Sequence, residues 1–325
     1  MIFRWNHRIN LWHRRLQETR VDLRQLRYFV KVVEYGNVTR ASEILRIAQP
    51  AISQQMRNLE NDMGMQLLER SVHGVVATAA GRTLYRHALD LLRQADNTRD
   101  LLRQDAEFPQ GKVSVAMPSS TARVLAIPLA RLVRDRYPGI VLELIEAPTV
   151  DIPVLIGGGR VELAIVTAPS ESRGIATHKL LTEALYLVAS PELVIPCEPL
   201  PLAELALMPL ILPCPPNTIR SRIDLALRDA RLPCEIILEA NSTALLLAAV
   251  IAKFGVTILP WSAAHVELAE NKLKLVHVDH RLFSRDISLC WHSTGSLSNA
   301  VQKVKASILE LFAHLGQRPE WAVAP

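Results

Sequence analysis

Residues Asn37–Arg70 read NVTRASEILRIAQPAISQQMRNLENDMGMQLLER. Ala41, Ile44 and Leu45 fall on one face of a short helix that Thr39 is placed to cap. Ile47-Ala48 make a turn, and Pro50 then takes a first-turn position, where a helix has no use for its missing N–H. Ile52, Met56 and Leu59 follow at spacings of four and three, so they face a core, and Gly64 ends the helix. Gln49, Ala51, Ser53, Gln54 and Arg57 are left on the outer side. Spacing alone allows an ordinary solvated face, since helix-turn-helix patterns are short. It equally allows a helix that enters the major groove, where N-terminal residues meet base edges. The residue types suit the groove: glutamine and serine hydrogen-bond base edges, and small apolar groups contact the thymine methyl. The candidate base readers are Gln49, Pro50, Ala51, Ser53 and Gln54, with Thr39, Arg40 and Arg57 placed for phosphates.

Upstream, Leu23, Leu26, Phe29, Val30 and Val33 share one helical face opposite Arg24, Arg27, Lys31 and Glu34, up to Gly36. Residues 1–20, MIFRWNHRINLWHRRLQETR, form a basic extension. It reads either as an arm for an anionic surface or as a tail, disordered or from a mis-set start, ahead of a domain that begins at Val21. Downstream, Thr78 caps a long helix reaching about Gln104. In it Leu84, Ala88, Leu91, Ala95, Thr98 and Leu102 recur at alternating spacings of four and three, flanked by charge. A narrow heptad stripe of this kind calls for a partner helix, so Leu84, Ala88, Leu91, Ala95 and Leu102 are the expected dimer seam.

The chain has 325 residues, 49% of them apolar, enough for two or three domains with cores. Its longest apolar run, Ala244–Ala252, falls short of the roughly 18 residues a membrane span needs. Residues 1–20 hold five arginines and no uninterrupted apolar stretch, so no secretory signal is read there, and a cytoplasmic, nucleoid-associated protein with no membrane partner is expected. Net charge is +5, with +4 in residues 1–20, +3 in 21–104 and −2 in the remainder, so the positive charge lies where a polyanion would be met. Cys197, Cys214, Cys234 and Cys290 form no CxxC pair, which points to reduced thiols and away from zinc; a redox pair is the other reading. The ten histidines are dispersed, and neither GxSxG nor HExxH occurs. No enzyme, metal or cofactor is expected.

The run LRQLRYFVKVVEYGNVTRASEILRIAQPAISQQMRNLENDMGMQLLER, followed by Thr78-Ala79-Ala80-Gly81, resembles the N-terminal domain of LysR-type transcriptional regulators. It is most similar to the branch that holds the nitrogen assimilation control and aromatic-degradation regulators. The resemblance implies a winged helix-turn-helix whose wing is a hairpin around Glu69–Ala77. Val75 and Ala77 would point inward, Ser71-Val72-His73-Gly74 would form the tip, and Arg70 would be the wing contact. His73 stands where the family often has Arg or Lys, which would weaken wing binding or make it pH-dependent. The resemblance also implies a homodimer joined through the long helix and assembling to a tetramer, reading an interrupted inverted repeat in double-stranded promoter DNA, and contacting RNA polymerase if it activates.

Phe108-Pro109-Gln110-Gly111 reads as a hinge. Beyond it short β runs alternate with helices: Lys112–Met117, Thr121–Tyr137, Ile140–Glu146, Thr149–Gly157 and Leu163–Val166. After a Pro-dense stretch from Pro191 to Pro201 come Leu210–Leu212, Asn217–Ala230, Cys234–Glu239, Ser242–Phe254 and Val256–Leu259, then Ile287–Trp291 and Ser298–Leu315. This is an α/β texture in two units. The resemblance implies a two-lobed effector domain like the periplasmic solute-binding proteins. The expected division is 1–20 extension, 21–81 DNA-binding domain, 82–107 linker helix, 108–316 effector domain and 317–325 tail. Within the effector domain, lobe I is expected over 112–190 and 287–315, and lobe II over 191–286.

Ligands of open α/β sheets sit at the carboxyl ends of strands, and helix N-termini favour anions. Ser119, Ser120, Thr149, Thr218 and Thr243 occupy such places and match the family's inducer cleft by position; each read singly is also an ordinary cap. They are the candidate residues for a small-molecule effector, an anion by preference. Leu155–Ile165, with Gly157-Gly158-Gly159, lacks the GK[ST] ending of a phosphate loop and resembles a structural turn of the family. Two other functions stay open: an effector-independent regulator of the nitrogen-control type, or an enzyme or solute binder fused to a nucleic-acid-binding head.

Overall fold

The computed structural model describes residues 21–71, 74–102, 109–167, 174–293 and 297–316, without the side chains of 93 and 96–102. The basic extension, the wing-tip residues Val72 and His73, the end of the linker with Phe108 of the hinge, and the tail from 317 lie outside it. Two units separate between Arg99 and Asp100.

In the first unit three helices pack around one core: α1 (Leu23–Tyr35), α2 (Val38–Leu45) and α3 (Gln49–Met63). Each end has a local cause. Asp22 and Gln25 form a reciprocal capping box on α1, and Gly36 closes it at φ 58°. The cap of α2 is Asn37, whose side chain accepts from Arg40 N, so the expected cap Thr39 lies two residues past it, in the first turn, and is exposed. Pro50 lies in the first turn of α3, which Gly64 ends at φ 63°. Phe29, Ala41, Ile52 and Leu59 are fully buried, and Met56 nearly so.

A hairpin of β1 (Leu68–Ser71) and β2 (Gly74–Ala77) follows, pairing Leu68 with Ala77 and Ser71 with Gly74. Val75 and Ala77 point inward and Arg70 outward, as the alternation requires. Gly74 adopts φ 124°, and a Cβ there would lie 2.5 Å from Gly36 O. Helix α4 (Ala79–Leu102) is capped by Thr78, whose hydroxyl accepts from Gly81 N.

The seam expected on α4 is divided by the structure. Ala88 is fully buried against Leu26 and Val30 of α1, together with Leu92, and Leu84 packs on the same group. Leu91 is 47% exposed and Ala95 partly so. Ala88 and Leu84 therefore belong to the chain's own core, while Leu91 and Ala95 lie on the open side; the Thr98 and Leu102 side chains are outside the described residues. A four-three spacing defines an apolar stripe but not which helix covers it.

The second unit is α/β. In lobe I, β3 (Gly111–Met117) pairs in parallel with β4 (Ile140–Glu146) and β5 (Leu163–Thr167), and β12 (Ser284–His292) continues the sheet antiparallel. Helices α5 (Ser119–Arg136) and α11 (Asn299–Leu315) share one core with this sheet, and α6 (Ile152–Gly157) another. Strand β6 (Ile175–Ala189) pairs with β12 through Ala184, then with β10 (Thr257–Pro260) and β11 (Lys274–Asp279) from Leu185 onward. The second lobe's core includes Leu185, Leu187 and Val188, so it begins inside β6, ahead of the expected boundary at 191.

Around that core lie β7 (Leu200–Pro201), α7 (Leu202–Ala206), β8 (Leu210–Pro213), α8 (Thr218–Asp229), β9 (Ile236–Ala240), α9 (Thr243–Ile251) and α10 (Trp261–Ala269). Thr149 opens no helix, because α6 starts only at Ile152. No described helix is long and apolar enough to cross a membrane.

Candidate functional site

Gln49, Pro50, Ala51, Gln54 and Arg57 are all exposed on α3, so the helix presents a polar strip at its N-terminal end. Its side chains bond to each other: Arg57 Nη2 donates to Gln54 Oε1 at 2.7 Å, and Gln54 Nε2 donates to Asn58 Oδ1 at 2.9 Å. Ser53 departs from expectation. It is 7% exposed, and its hydroxyl accepts from Gln49 Nε2 at 3.1 Å, so it orients Gln49 from below instead of facing outward. Its i, i+4 position from Gln49 turns it toward the buried edge of α3.

Thr39, Arg40 and Arg70 are exposed, and Arg40 pairs with Glu43 at 3.0 Å. Glu60, not anticipated from the sequence, joins α3 to the wing, since its Oε1 accepts from Leu67 N and Leu68 N at 2.9 and 3.0 Å.

In the second unit all five candidate effector residues line one cavity of about 190 Å3. Ser119 and Ser120 come from the start of α5, Thr149 from the turn after β4, and Thr218 and Thr243 from the starts of α8 and α9. None of the five is the side-chain cap of those helices. Asn217 caps α8 by accepting from Ile219 N and Arg220 N, which leaves the Thr218 hydroxyl to reach across the cleft. It lies 3.2 Å from Thr167 Oγ1, which in turn is 2.9 Å from Thr149 Oγ1, while Thr167 N donates to Thr149 Oγ1. Three hydroxyls thus connect lobe I to lobe II.

Thr167 is absent from the sequence-based candidates, and so is the buried pair at the cavity wall. Arg285 Nε donates to Glu183 Oε1 at 2.7 Å and its Nη2 to Ser120 Oγ at 2.9 Å, while Ser262 Oγ donates to Glu183 Oε2 at 3.1 Å. Glu183 and Arg285 are 1% and 3% exposed. No sequence signal singles them out, because both strands carry other polar and charged residues, Lys179 and Thr182 in β6 and Asp286 in β12; burial is what requires the two charges to pair. Nearby on α8, burial and then the Arg285 guanidinium hold Arg222 below the ordinary arginine range. Lys179 and then the Thr182 hydroxyl hold the Asp286 carboxyl below the usual range. Among the described residues no cluster of His, Cys, Asp or Glu is arranged to hold a metal.

Residues 23–82 match the bacterial regulatory helix-turn-helix proteins of the lysR family, and residues 106–313 match the LysR substrate binding domain. The chain belongs to the LysR family. Its relatives include the nitrogen assimilation regulatory protein nac of Klebsiella aerogenes, 35% identical over 90% of this chain and 95% of that one. A full-length OxyR variant from Pseudomonas aeruginosa shares the fold with a TM-score of 0.74 at 20% identity, over 90% of this chain and 94% of that one. Full-length CbnR in complex with its target DNA does so with a TM-score of 0.62 at 23% identity, over 89% and 99%. As a LysR-type chain this is a DNA-binding transcriptional regulator, a winged helix-turn-helix followed by a two-lobed α/β effector-binding domain.

Proposed function

We propose that this regulator reads an interrupted inverted repeat as a dimer. Gln49 and Gln54 would contact base edges, Pro50 and Ala51 thymine methyls, and Thr39, Arg40, Arg57 and Arg70 the phosphates. Ser53 acts through Gln49. The observation that carries this reading is the exposed polar strip at the start of α3, whose side chains bond one another and are free to exchange those bonds for base edges. The open side of α4, with Leu91 and Ala95, supplies the dimer contact, and Leu102 extends it; dimers pair into tetramers, and the regulator engages RNA polymerase where it activates. A small molecule in the cleft lined by Ser119, Ser120, Thr149, Thr218 and Thr243 changes the relation of the lobes and so the spacing of the reading heads. An effector-independent regulator of the nitrogen-control type is the second reading; the nitrogen assimilation regulatory protein nac is among the relatives of this chain.

Fluorescence anisotropy on the DNA upstream of the protein's own gene tests the proposal. Specific binding that is lost on Gln49→Ala with Gln54→Ala supports it; equal binding to scrambled DNA would sink it.

A further inference from the structure

Glu60 stands in the last turn of α3, where an acid works against the partial negative charge of a helix end. The helix does not need it to stay seated, because Ile52, Met56 and Leu59, all at or below 1% exposed, hold α3 on the core. Its side chain leaves the helix instead. Oε1 accepts from Leu67 N at 2.9 Å and from Leu68 N at 3.0 Å, at the point where β1 begins. Both leucines are buried, so these N–H groups have no water to turn to. The Glu60 carbonyl meanwhile accepts from Met65 N at 3.1 Å, just past the Gly64 that ends α3. One residue thus holds both ends of the short link from α3 to the wing.

The rest of the hairpin is pinned as firmly. Thr78 Oγ1 donates to Gln66 O at 2.9 Å and Thr78 N to Leu67 O at 3.0 Å. Val75 N donates to Gly36 O at 2.7 Å, where Gly74 packs without room for a side chain. These bonds fix the hairpin to the start of α4 and to the turn between α1 and α2. Its direct tie to α3 is the Glu60 carboxylate. Arg70 lies two residues beyond Leu68, exposed on the outward side of β1 and in register with Val75. A strand rises about 3.3 Å per residue, so Arg70 stands only some 7 Å from the point that Glu60 holds. A shift at Leu68 is therefore passed on to Arg70.

We propose that Glu60 is a positioning residue for DNA binding: it sets the wing at the angle from α3 at which Arg70 meets a phosphate while Gln49 and Gln54 stay in the groove. It touches no DNA itself. Both bonds fall on one oxygen, so what the wing requires is an acceptor, and the charge adds strength to the two bonds. Glutamine presents the same acceptor at the same reach; alanine presents none, and aspartate falls one methylene short. The proposal rests on α3 and Arg70 being DNA contacts.

The test is fluorescence anisotropy of the full chain on the duplex upstream of its own gene and on a scrambled duplex, over a series of potassium chloride concentrations. Each phosphate contact contributes about 0.9 to the slope of log affinity against log salt. Arg70→Ala is expected to lower that slope by about 1 per protomer, and Glu60→Ala to lower it equally, with the preference for the specific duplex kept within about threefold. Adding Arg70→Ala to Glu60→Ala should lower the slope no further, and Glu60→Gln should keep the wild-type value. A purely structural role would reduce stability without moving the slope. A Glu60→Ala slope equal to that of the wild type, effects of Glu60→Ala and Arg70→Ala that add, or a glutamine variant no better than alanine, each overturns the proposal. If Glu60→Ala does not fold, Glu60→Asp decides by the same slope. An unchanged slope in Arg70→Ala removes the wing contact and this proposal with it, whereas a slope that falls in Arg70→Ala but not in Glu60→Ala removes this one alone.

Discussion

The strip on α3 and the cleft between the lobes are both polar, yet they treat their hydrogen bonds in opposite ways. On α3 the amides and guanidinium are exposed and bond to neighbours three or four residues away, contacts that water or a partner can replace at little cost. In the cleft Glu183, Arg285 and Ser120 bond over 102 and 165 residues of sequence while nearly sealed from solvent. The contrast fits the roles proposed above, α3 as a surface for DNA and the cleft as a place whose polar groups tie the two lobes together.

Arg285→Met should disturb this contrast most severely, because it strands a buried carboxylate. A loss of about 3–5 kcal/mol is expected in urea unfolding, and Glu183→Met added to it should recover most of that loss. If the single and double variants are equally unstable, the cleft is not organised around its charge.

Next in size is Gly81→Ala. A Cβ at Gly81 would lie 2.0 Å from Leu67 O, where the backbone leaves no room, so about 3 kcal/mol should be lost from the first unit. The reading strip would fail with it through the displaced wing. A variant of native stability would mean that α4 and the segment before β1 can separate freely.

Gln49→Ala should leave thermal unfolding unchanged and weaken specific DNA binding by about 1–3 kcal/mol, read by anisotropy against a scrambled duplex. Lost stability without lost specificity would make the strip a structural surface, closer in kind to the cleft.

The smallest effect lies away from both sites. Hydrogen bonds first from Arg160 and then from Lys112 hold the Glu143 carboxyl down to about 2, against an ordinary 4.5. A depressed carboxyl stabilises the fold above its unfolded value and loses that contribution as pH falls from about 4.5 through about 2. Glu143→Gln should therefore flatten the acid limb of a stability-against-pH curve while changing neutral stability by less than about 1 kcal/mol. An unchanged acid limb would show that these ion pairs are not maintained in solution.

The polar strip on α3 is legible because its causes are local. Helix period, the first-turn proline and the glycine stop all lie within residues 49–64. The one departure, Ser53, comes from a position on the border of the buried face, where spacing does not say which way a small side chain turns. The same ambiguity affects α4, where Ala88 fits an inward stripe and a partner seam equally well. In the cleft, the serines and threonines after strands are found by position. Thr167 escapes such a search because a threonine inside an apolar strand reads as β propensity. Strand β6 is not legible at all, since Lys179, Leu180, Leu181, Thr182 and Glu183 interrupt any clean alternation of apolar and polar residues.

The winged helix-turn-helix, the polar start of α3, the α/β nature of the second unit and the strand-end residues of a cleft are all written in the chain, because each rests on spacings within one or two turns. Three outcomes needed the folded molecule: which face of α4 the chain's own core covers, that β6 serves both lobes, and that Glu183 meets Arg285. They depend on contacts between segments far apart in sequence, and a local pattern specifies that a charge needs a partner without specifying which one.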